Sequence, residues 1–310
     1  MIFVIEKTTL LIYNPRAGKS IGRPKPKEIL ERFGSDAEKI HLAVTAYPGH
    51  AKEIAALEGN RYETVICCGG DGTLNEVISG LSGLESRPVI GYIPMGSTND
   101  LANNIGIPSA MPNAVKVIEQ GESRGFDIGA FNDRCFTYIA SFGPGVSVSY
   151  STPQRVKNVL GYSAYMLNGF GLQLIPTMKA LKPKHICVEY DGNVLEDDFY
   201  FGTISNTLSA AGMFKFHKDE VRFNDGKFEV VLIRKVKTPF QIFSLLKKMR
   251  LHEYDGETLV HFQASKLHFA FEKPESWTLD GECSGPVSDI HIEVRNNAVR
   301  IYCPDSEYFV

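Results

Sequence analysis

The chain has 310 residues, ordinarily enough for two domains, and its 43% hydrophobic and 22% charged residues are the balance of a soluble globular protein. A formal net charge of −3 without any basic cluster argues against a nucleic-acid partner. The most apolar long segment, 159 to 176, holds Asn168, Gln173 and glycines at 161, 169 and 171, so no transmembrane segment is expected. No cleavable signal is expected at the N-terminus, where the apolar run Thr8 to Tyr13 is short and leads into a motif. Cysteines at 67, 68, 135, 187, 283 and 303 show no metal-ligand spacing and read as reduced cytosolic thiols.

In chain order, Thr8 to Tyr13 is predicted as a buried strand that ends in Asn14-Pro15-Arg16-Ala17-Gly18-Lys19. A short helix over Lys25 to Phe33 and a strand over Ile40 to Ala46 follow. Thr45 lies at that strand's carboxyl end, before Pro48-Gly49-His50 and an amphipathic helix. Val65 to Cys68 is the third strand. It runs into Gly69-Gly70-Asp71-Gly72-Thr73-Leu74-Asn75-Glu76 and a helix with Leu74, Val77, Ile78 and Leu81 on one face. Pro88 to Pro94 is the fourth strand, and it opens into Gly96-Ser97-Thr98-Asn99-Asp100 before another helix.

Strands alternating with helices predict a doubly wound, mostly parallel α/β sheet. Ligands bind such sheets beyond the carboxyl ends of the strands, where all four loops lie. A glycine loop at a helix N-terminus offers backbone N–H groups to an anion. Asp71 fits there if it partners Mg²⁺ or accepts a proton, and Asp100 adds a second carboxylate suited to a Mg²⁺ phosphate site. A dinucleotide fingerprint fails because Asn75 stands where the last Gly belongs. A Walker A loop fails because Tyr13 stands where the first Gly belongs. The bland reading of Gly69–Thr73 is a plain turn, and Asn99 or Asp100 is equally suited to capping a helix.

After Gly125 the pattern changes. Phe126–Phe131 and Cys135–Phe142 read as a hairpin around Asn132-Asp133, and Ile186–Tyr190 and Leu195–Thr203 as another around Asp191-Gly192. A helix-like stretch runs from Tyr162 to Leu174. Phe228–Arg234, Leu259–Phe262, Leu267–Phe271 and Ile290–Val294 are further strands, with a helix over Pro239 to Met249. A domain of residues 1–126 is thus followed by a β-rich domain of 127–310, with a return of the last residues to the first left open. Asn224-Asp225-Gly226 and Trp277-Thr278-Leu279-Asp280-Gly281-Glu282 look like turns. Asp280 and Glu282, two apart, would point to one side of an extended segment, as a general base requires.

Asn14-Pro15-x-x-Gly18-Lys19, Gly69 to Glu76, Pro94-x-Gly96-Ser97-x-Asn99-Asp100-x-Ala102 and Asp280-Gly281-Glu282 together resemble the diacylglycerol kinase catalytic-domain family, over nearly the whole chain. The bacterial soluble lipid kinases are the most similar group. Gly-Gly-Asp-Gly-Thr alone also occurs in NAD kinases and, similarly, in phosphofructokinases; the motif from Pro94 to Ala102 selects the lipid kinases.

The resemblance implies an antiparallel β-sandwich second domain, an ATP site, Mg²⁺, and a lipid substrate at a membrane surface. It implies that Asn14, Pro15, Arg16, Ala17, Gly18, Lys19, Thr45, Gly69 to Glu76, Ser97, Asn99 and Asp100 bind the nucleotide. Asp71 would join the Mg²⁺ network, and Asp280 or Glu282 would deprotonate the acceptor, with Glu282 favoured. A structural Mg²⁺ would use Asp225 and the backbone carbonyls of Arg222 and Lys227. Ser97 replaces the commoner Thr, and Asn224 replaces a frequent Asp, which weakens the expectation for that metal. Lys218 and Glu220 stand in a segment that is usually more apolar. Phe142, Val146, Tyr162, Tyr165, Met166 and Phe170 are candidates for a lipid groove, with core packing the blander role. A soluble-metabolite kinase, such as one for NAD, and an inactive nucleotide-binding regulator remain as rivals. A cytoplasmic location with peripheral membrane association follows, and homodimer formation stays open.

Overall fold

The computed structural model describes residues 8–18, 23–143, 182–210, 214–216, 220–236 and 238–310. The chain forms two compact units. The first runs to Ile128 and takes in Phe223–Asp225 and Arg295–Val310; the second takes in Gly129–Arg222 and Gly226–Val294.

The first unit is α/β. Strands β1 (Thr9–Tyr13), β2 (Ile40–Val44), β3 (Thr64–Gly69) and β4 (Val89–Pro94) pair in parallel in the order β2-β1-β3-β4. Residues Val65 to Gly69 are buried without alternation, as expected of a strand covered on both faces. Helices α1 (Pro26–Arg32), α2 (His50–Glu58), α3 (Asp71–Leu81), α4 (Asp100–Asn104) and α5 (Met111–Gln120) fill the connections. Gly80 lets α3 pack closely on α2: a Cβ there would lie 2.5 Å from the Lys52 carbonyl oxygen.

No element was predicted where α5 lies. It nevertheless has Pro112 in its first turn, buries Ala114, Val115, Val117 and Ile118, and ends on Gly121 at φ 73°. The strand order reverses between β1 and β3, and in open parallel sheets the binding crevice lies at that reversal. Phe223 closes the unit from a distant part of the chain: its carbonyl accepts the Asp127 N–H at 2.9 Å and its own N–H meets the Tyr308 carbonyl at 2.8 Å.

The second unit is rich in antiparallel strands. After β5 (Ser123–Phe131), which crosses from the first unit, come β6 (Arg134–Phe136), β7 (Ile139–Phe142), β8 (Lys184–Tyr190), β9 (Asn193–Ser205), β10 (Ser209–Ala210), β11 (Phe214–Lys215) and β12 (Phe228–Arg234). Helix α6 (Pro239–Leu251), β13 (Leu259–Ala264), β14 (Lys266–Leu279) and β15 (Glu282–Tyr302) complete it. The ladder runs β13-β12-β9-β7-β14-β15, with β8 pairing both β9 and β14. The last residues of β15 leave this unit, and Arg300 and Ile301 pair in parallel with Val89 and Ile90 of β4.

Trp277, wholly buried, centres the core, with the Phe142 ring 4.9 Å away and Phe269 and Phe271 edge-on. Phe142 is therefore a core residue. Val146, Tyr162, Tyr165, Met166, Phe170 and the expected helix from Tyr162 to Leu174 lie outside the described residues, as does Lys218. Among the described residues no helix is long and apolar enough to cross a membrane.

Candidate active site

The four loops leave the carboxyl ends of β1 to β4, and two kinds of contact join them. The first is hydrogen bonding. Asn14 donates Nδ2–H to the Thr73 hydroxyl at 2.8 Å, which ties the loop after β1 to the first turn of α3. Its Oδ1 accepts the Arg16 N–H at 2.8 Å, and its carbonyl accepts the Ala17 N–H at 3.3 Å. Arg23 clasps the same loop through the Pro15 carbonyl and reaches the Gly18 carbonyl at 3.4 Å. Thr45, buried, is held by its N–H on the Tyr13 carbonyl at 2.9 Å.

The second kind is glycine packing. Gly18 has φ +64°, and a Cβ there would lie 2.0 Å from the Met95 carbonyl oxygen. A Cβ on Gly96 would lie 2.7 Å from the Gly70 Cα and 2.6 Å from the Asn99 Oδ1. The loops after β1, β3 and β4 thus touch through backbone, with no room for side chains. Asn99 shapes the last of them. It sits at φ 51°, accepts the Gly96 N–H at 2.9 Å and returns Nδ2–H to the Gly96 carbonyl at 3.1 Å. Ser97 stands exposed at the tip.

Gly70 is the N-cap of α3 and its carbonyl accepts the first helical bond, from Leu74 at 3.0 Å. The N–H groups of the first turn, from Asp71 to Thr73, have no acceptor within the helix and carry its positive end. Asp71 and Asp100 are the first residues of α3 and α4, both half-buried. An Asp71 oxygen accepts the Leu101 N–H at 3.4 Å. Both carboxylates act on one buried phenol: burial pushes the Tyr92 pKa up, and Asp71, then Cys67 and Asp100, push it further. Two carboxylates at helix N-termini beside a glycine-rich loop are the hard oxygen donors that suit Mg²⁺. Burial first, then Cys68, Glu76 and Asp71, hold the Cys67 thiol well above its ordinary pKa, so it is no nucleophile.

Other expected residues stand elsewhere. The Leu74 side chain is in the core. Glu76 points away from the loop: its carboxylate accepts the Gly49 and Ala51 N–H groups at 2.8 and 3.1 Å and caps α2. Asn75 accepts the Ser79 hydroxyl at 3.5 Å. Lys19 lies outside the described residues. Asn224 pairs with the Val310 backbone twice, donating Nδ2–H at 3.0 Å and accepting N–H at 2.8 Å. An aspartate could not make the first of these bonds. Asp225 belongs to the first unit, and Arg222 and Lys227 to the second.

In the second unit Asp280-Gly281 is not extended. It is the two-residue turn between β14 and β15, with φ 50° and 83°, the geometry of a tight hairpin turn. The premise that Asp280 and Glu282 point to one side therefore fails. Asp280 is buried, and its carboxylate accepts three backbone N–H groups: Thr137 at 2.6 Å, Tyr138 at 3.0 Å and Ile139 at 3.0 Å. Its own N–H meets the Ile139 carbonyl at 2.8 Å. Thr137 and Tyr138 give their N–H groups to Asp280 rather than to a ladder, which breaks the expected strand Cys135–Phe142 into β6 and β7. Glu282, across the turn, is exposed. Arg23, Met95 and Thr137–Ile139 escaped the sequence reading. The Asp-Gly pair was a readable hairpin signal; the other partners had none.

A glycine-lined helix N-terminus at the reversal of a parallel sheet is a place where phosphate groups bind. The model of the diacylglycerol kinase catalytic domain matches residues 8–131. The chain is 30% identical over 283 residues to a diacylglycerol kinase of Bacillus subtilis (strain 168), covering 90% of this chain and 91% of that one. It is 35% identical over 236 residues to a diacylglycerol kinase of Staphylococcus aureus (strain JH9), covering 74% and 72%. A crystal structure of a diacylglycerol kinase from Bacillus anthracis str. Sterne shares the fold at TM-score 0.74 and 23% identity, covering 96% of this chain and 97% of that one. The chain belongs to the diacylglycerol kinase family and is a lipid kinase with ATP as its phosphoryl donor.

Proposed function

We propose that the chain transfers the γ-phosphate of ATP to the free hydroxyl of diacylglycerol or a closely related lipid. The observation that carries this is the convergence of the three glycine loops, Asn14–Gly18, Gly69–Thr73 and Gly96–Asp100, in a chain so related to diacylglycerol kinases. Backbone N–H groups of α3 and the three loops hold the phosphates, with Lys19, Thr45, Asn75, Glu76 and Ser97 as further contributors. Asp71, with Asp100, holds Mg²⁺, which when bound neutralises charge developing on the transferred phosphoryl group. Glu282 takes the proton from the lipid hydroxyl. Asp280 is a positioning residue: bound to three backbone donors, it fixes the turn from which Glu282 projects. A structural Mg²⁺ at Asp225 with the carbonyls of Arg222 and Lys227 belongs to the same reading. So do a doubly wound nucleotide domain of 1–126, a β-sandwich lipid domain of 127–310 whose last residues return to the first domain, a cytoplasmic enzyme docking on the membrane surface, and a homodimer.

The test offers labelled ATP with diacylglycerol, phosphatidylglycerol, a sphingoid base and NAD. Label is expected in a lipid, with diacylglycerol foremost. Label in NAD alone would overturn the lipid acceptor, and ATP binding without transfer to any of the four would make the protein a regulator.

A further inference from the structure

On the face of the second unit's sheet opposite Val188, Phe269 and Ile290, four ionisable side chains meet. Three neighbouring strands place them. On β14, His268 is directly opposite His291 of β15 and Glu189 of β8. Asp289 lies two residues before His291 and so shares its face. Among the described residues, His268, Asp289 and His291 form the one group whose ligand atoms all lie within 4.8 Å of one another. The alternate residues Val188, Phe269 and Ile290 point into the core, which fixes the register of the outer face.

We propose that His268, His291 and Asp289 form a binding site for a divalent transition metal, of which Zn²⁺ is the probe. The donor set is two imidazoles and a carboxylate, with a fourth position left to water, the pattern of three-ligand zinc centres. The atoms converge: Nε2 of His268 is 2.6 Å from one Asp289 oxygen, and Nε2 of His291 is 3.6 Å from the other. Nδ1 of His268 is turned the other way, 3.6 Å from the Glu189 carboxylate. A metal-bound imidazole that gives its second N–H to a carboxylate is oriented and made a better ligand by it.

The backbone is pre-set as well. Asn132 accepts the His291 N–H at 2.8 Å and donates to the Asp289 carbonyl at 3.1 Å, which clamps the two β15 ligands from outside the ladder. The imidazoles stack with centroids 4.3 Å apart and 4° between planes. A metal lies in the plane of each ring that binds it, so loading tilts the rings toward each other about Cβ–Cγ, a motion open to partly exposed side chains. The bound ion clips β14 to β15.

The experiment titrates the metal-free full chain with Zn²⁺ in a calorimeter, with Mg²⁺ in excess to keep carboxylate-only sites filled. Co²⁺ absorption serves as a second readout. One ion per chain is expected, with the Co²⁺ spectrum of a four-coordinate nitrogen–oxygen site. His291→Ala and Asp289→Asn should each abolish that binding while kinase activity stays unchanged. Glu189→Gln should weaken it by about 10–100-fold, as loss of an outer carboxylate does. Cys283→Ser, which removes the exposed thiol, should change nothing. No binding by the wild-type chain, undiminished binding by the folded His268→Ala/His291→Ala variant, or loss of binding in Cys283→Ser would each overturn the proposal.

Discussion

Asp71 and Asp100 of the first unit and Asp280 of the second are held in opposite ways. In the first, Asp71 and Asp100 open helices at a glycine cradle, half-buried. In the second, Asp280 is buried under three backbone donors, and its neighbour Glu282 stands exposed across a two-residue turn. The difference teaches that a motif's acids take their roles from the N–H groups around them. An acid saturated by backbone N–H groups is scaffold, and one left to solvent or a cation is available for chemistry.

The comparison breaks most sharply at the glycines. Gly18→Ala would put a Cβ 2.0 Å from the Met95 carbonyl, and Gly96→Ala one 2.7 Å from the Gly70 Cα. Gly70→Val adds bulk where a Cβ already lies 3.1 Å from the Gly96 Cα. Each should abolish ATP binding, measured by calorimetry on folded protein. Wild-type affinity in a folded Gly96→Ala chain would show that the cradle does not need its loops in contact. Asp71→Ala should lose activity while excess Mg²⁺ restores a part of it, since what is removed is a cation partner rather than space.

Glu282→Gln addresses the other side. General-base catalysis is typically worth about 10²–10⁴-fold, so kcat should fall by that order with ATP affinity and melting temperature unchanged. Asp280→Ala should do the reverse in proportion. It strands two buried N–H groups and a part-buried third, a buried one being worth about 1–3 kcal/mol when unsatisfied, so urea unfolding should show a loss of about 2 kcal/mol or more. A folded Glu282→Gln enzyme with full turnover would falsify its role as base; an Asp280→Ala chain of unchanged stability would remove the scaffold reading.

Much of the first unit was legible because its signals are local. An apolar run, a glycine and a periodic stripe name strand, loop and helix within about 15 residues, and parallel strands gather their ends on one edge. The second unit was less legible. Asp280 finds its donors 141 to 143 positions earlier in the chain, and no local pattern announces them. Strands β14 and β15 run far beyond the predicted Leu267–Phe271 and Ile290–Val294. Pro274 and the Gly285-Pro286 pair interrupt the alternation, and the ladder absorbs them as register shifts. Glu76 shows the same limit: its sequence neighbours are the phosphate loop, and its carboxylate accepts two backbone N–H groups at the start of α2 that no local pattern announces.

A milder scaffold acid sharpens the rule. Asp255 lies between α6 and β13. It accepts the N–H groups of Glu257, Thr258 and Leu259 at 3.1, 3.0 and 2.9 Å and the Thr258 hydroxyl at 3.0 Å, and it pairs with Lys248. Burial raises its pKa, but Lys248, the Leu259 N–H and both donors of Thr258 outweigh that and hold the carboxyl well below its ordinary range. A carboxylate depressed in the folded chain stabilises fully above its unfolded pKa of about 3.9 and loses that contribution as pH falls toward the folded value. Asp255→Asn keeps one acceptor oxygen and loses the charge, so at neutral pH it should cost about 1–2 kcal/mol. The gap between wild type and variant, followed by urea unfolding, should hold constant from pH 7 to about pH 5 and close below about 3.9. Taking the difference cancels the other acids, Asp191 and Asp198 among them, whose pKa values are also lowered. A gap that stays flat through the acid range would mean that backbone geometry, not the charge on Asp255, holds this loop.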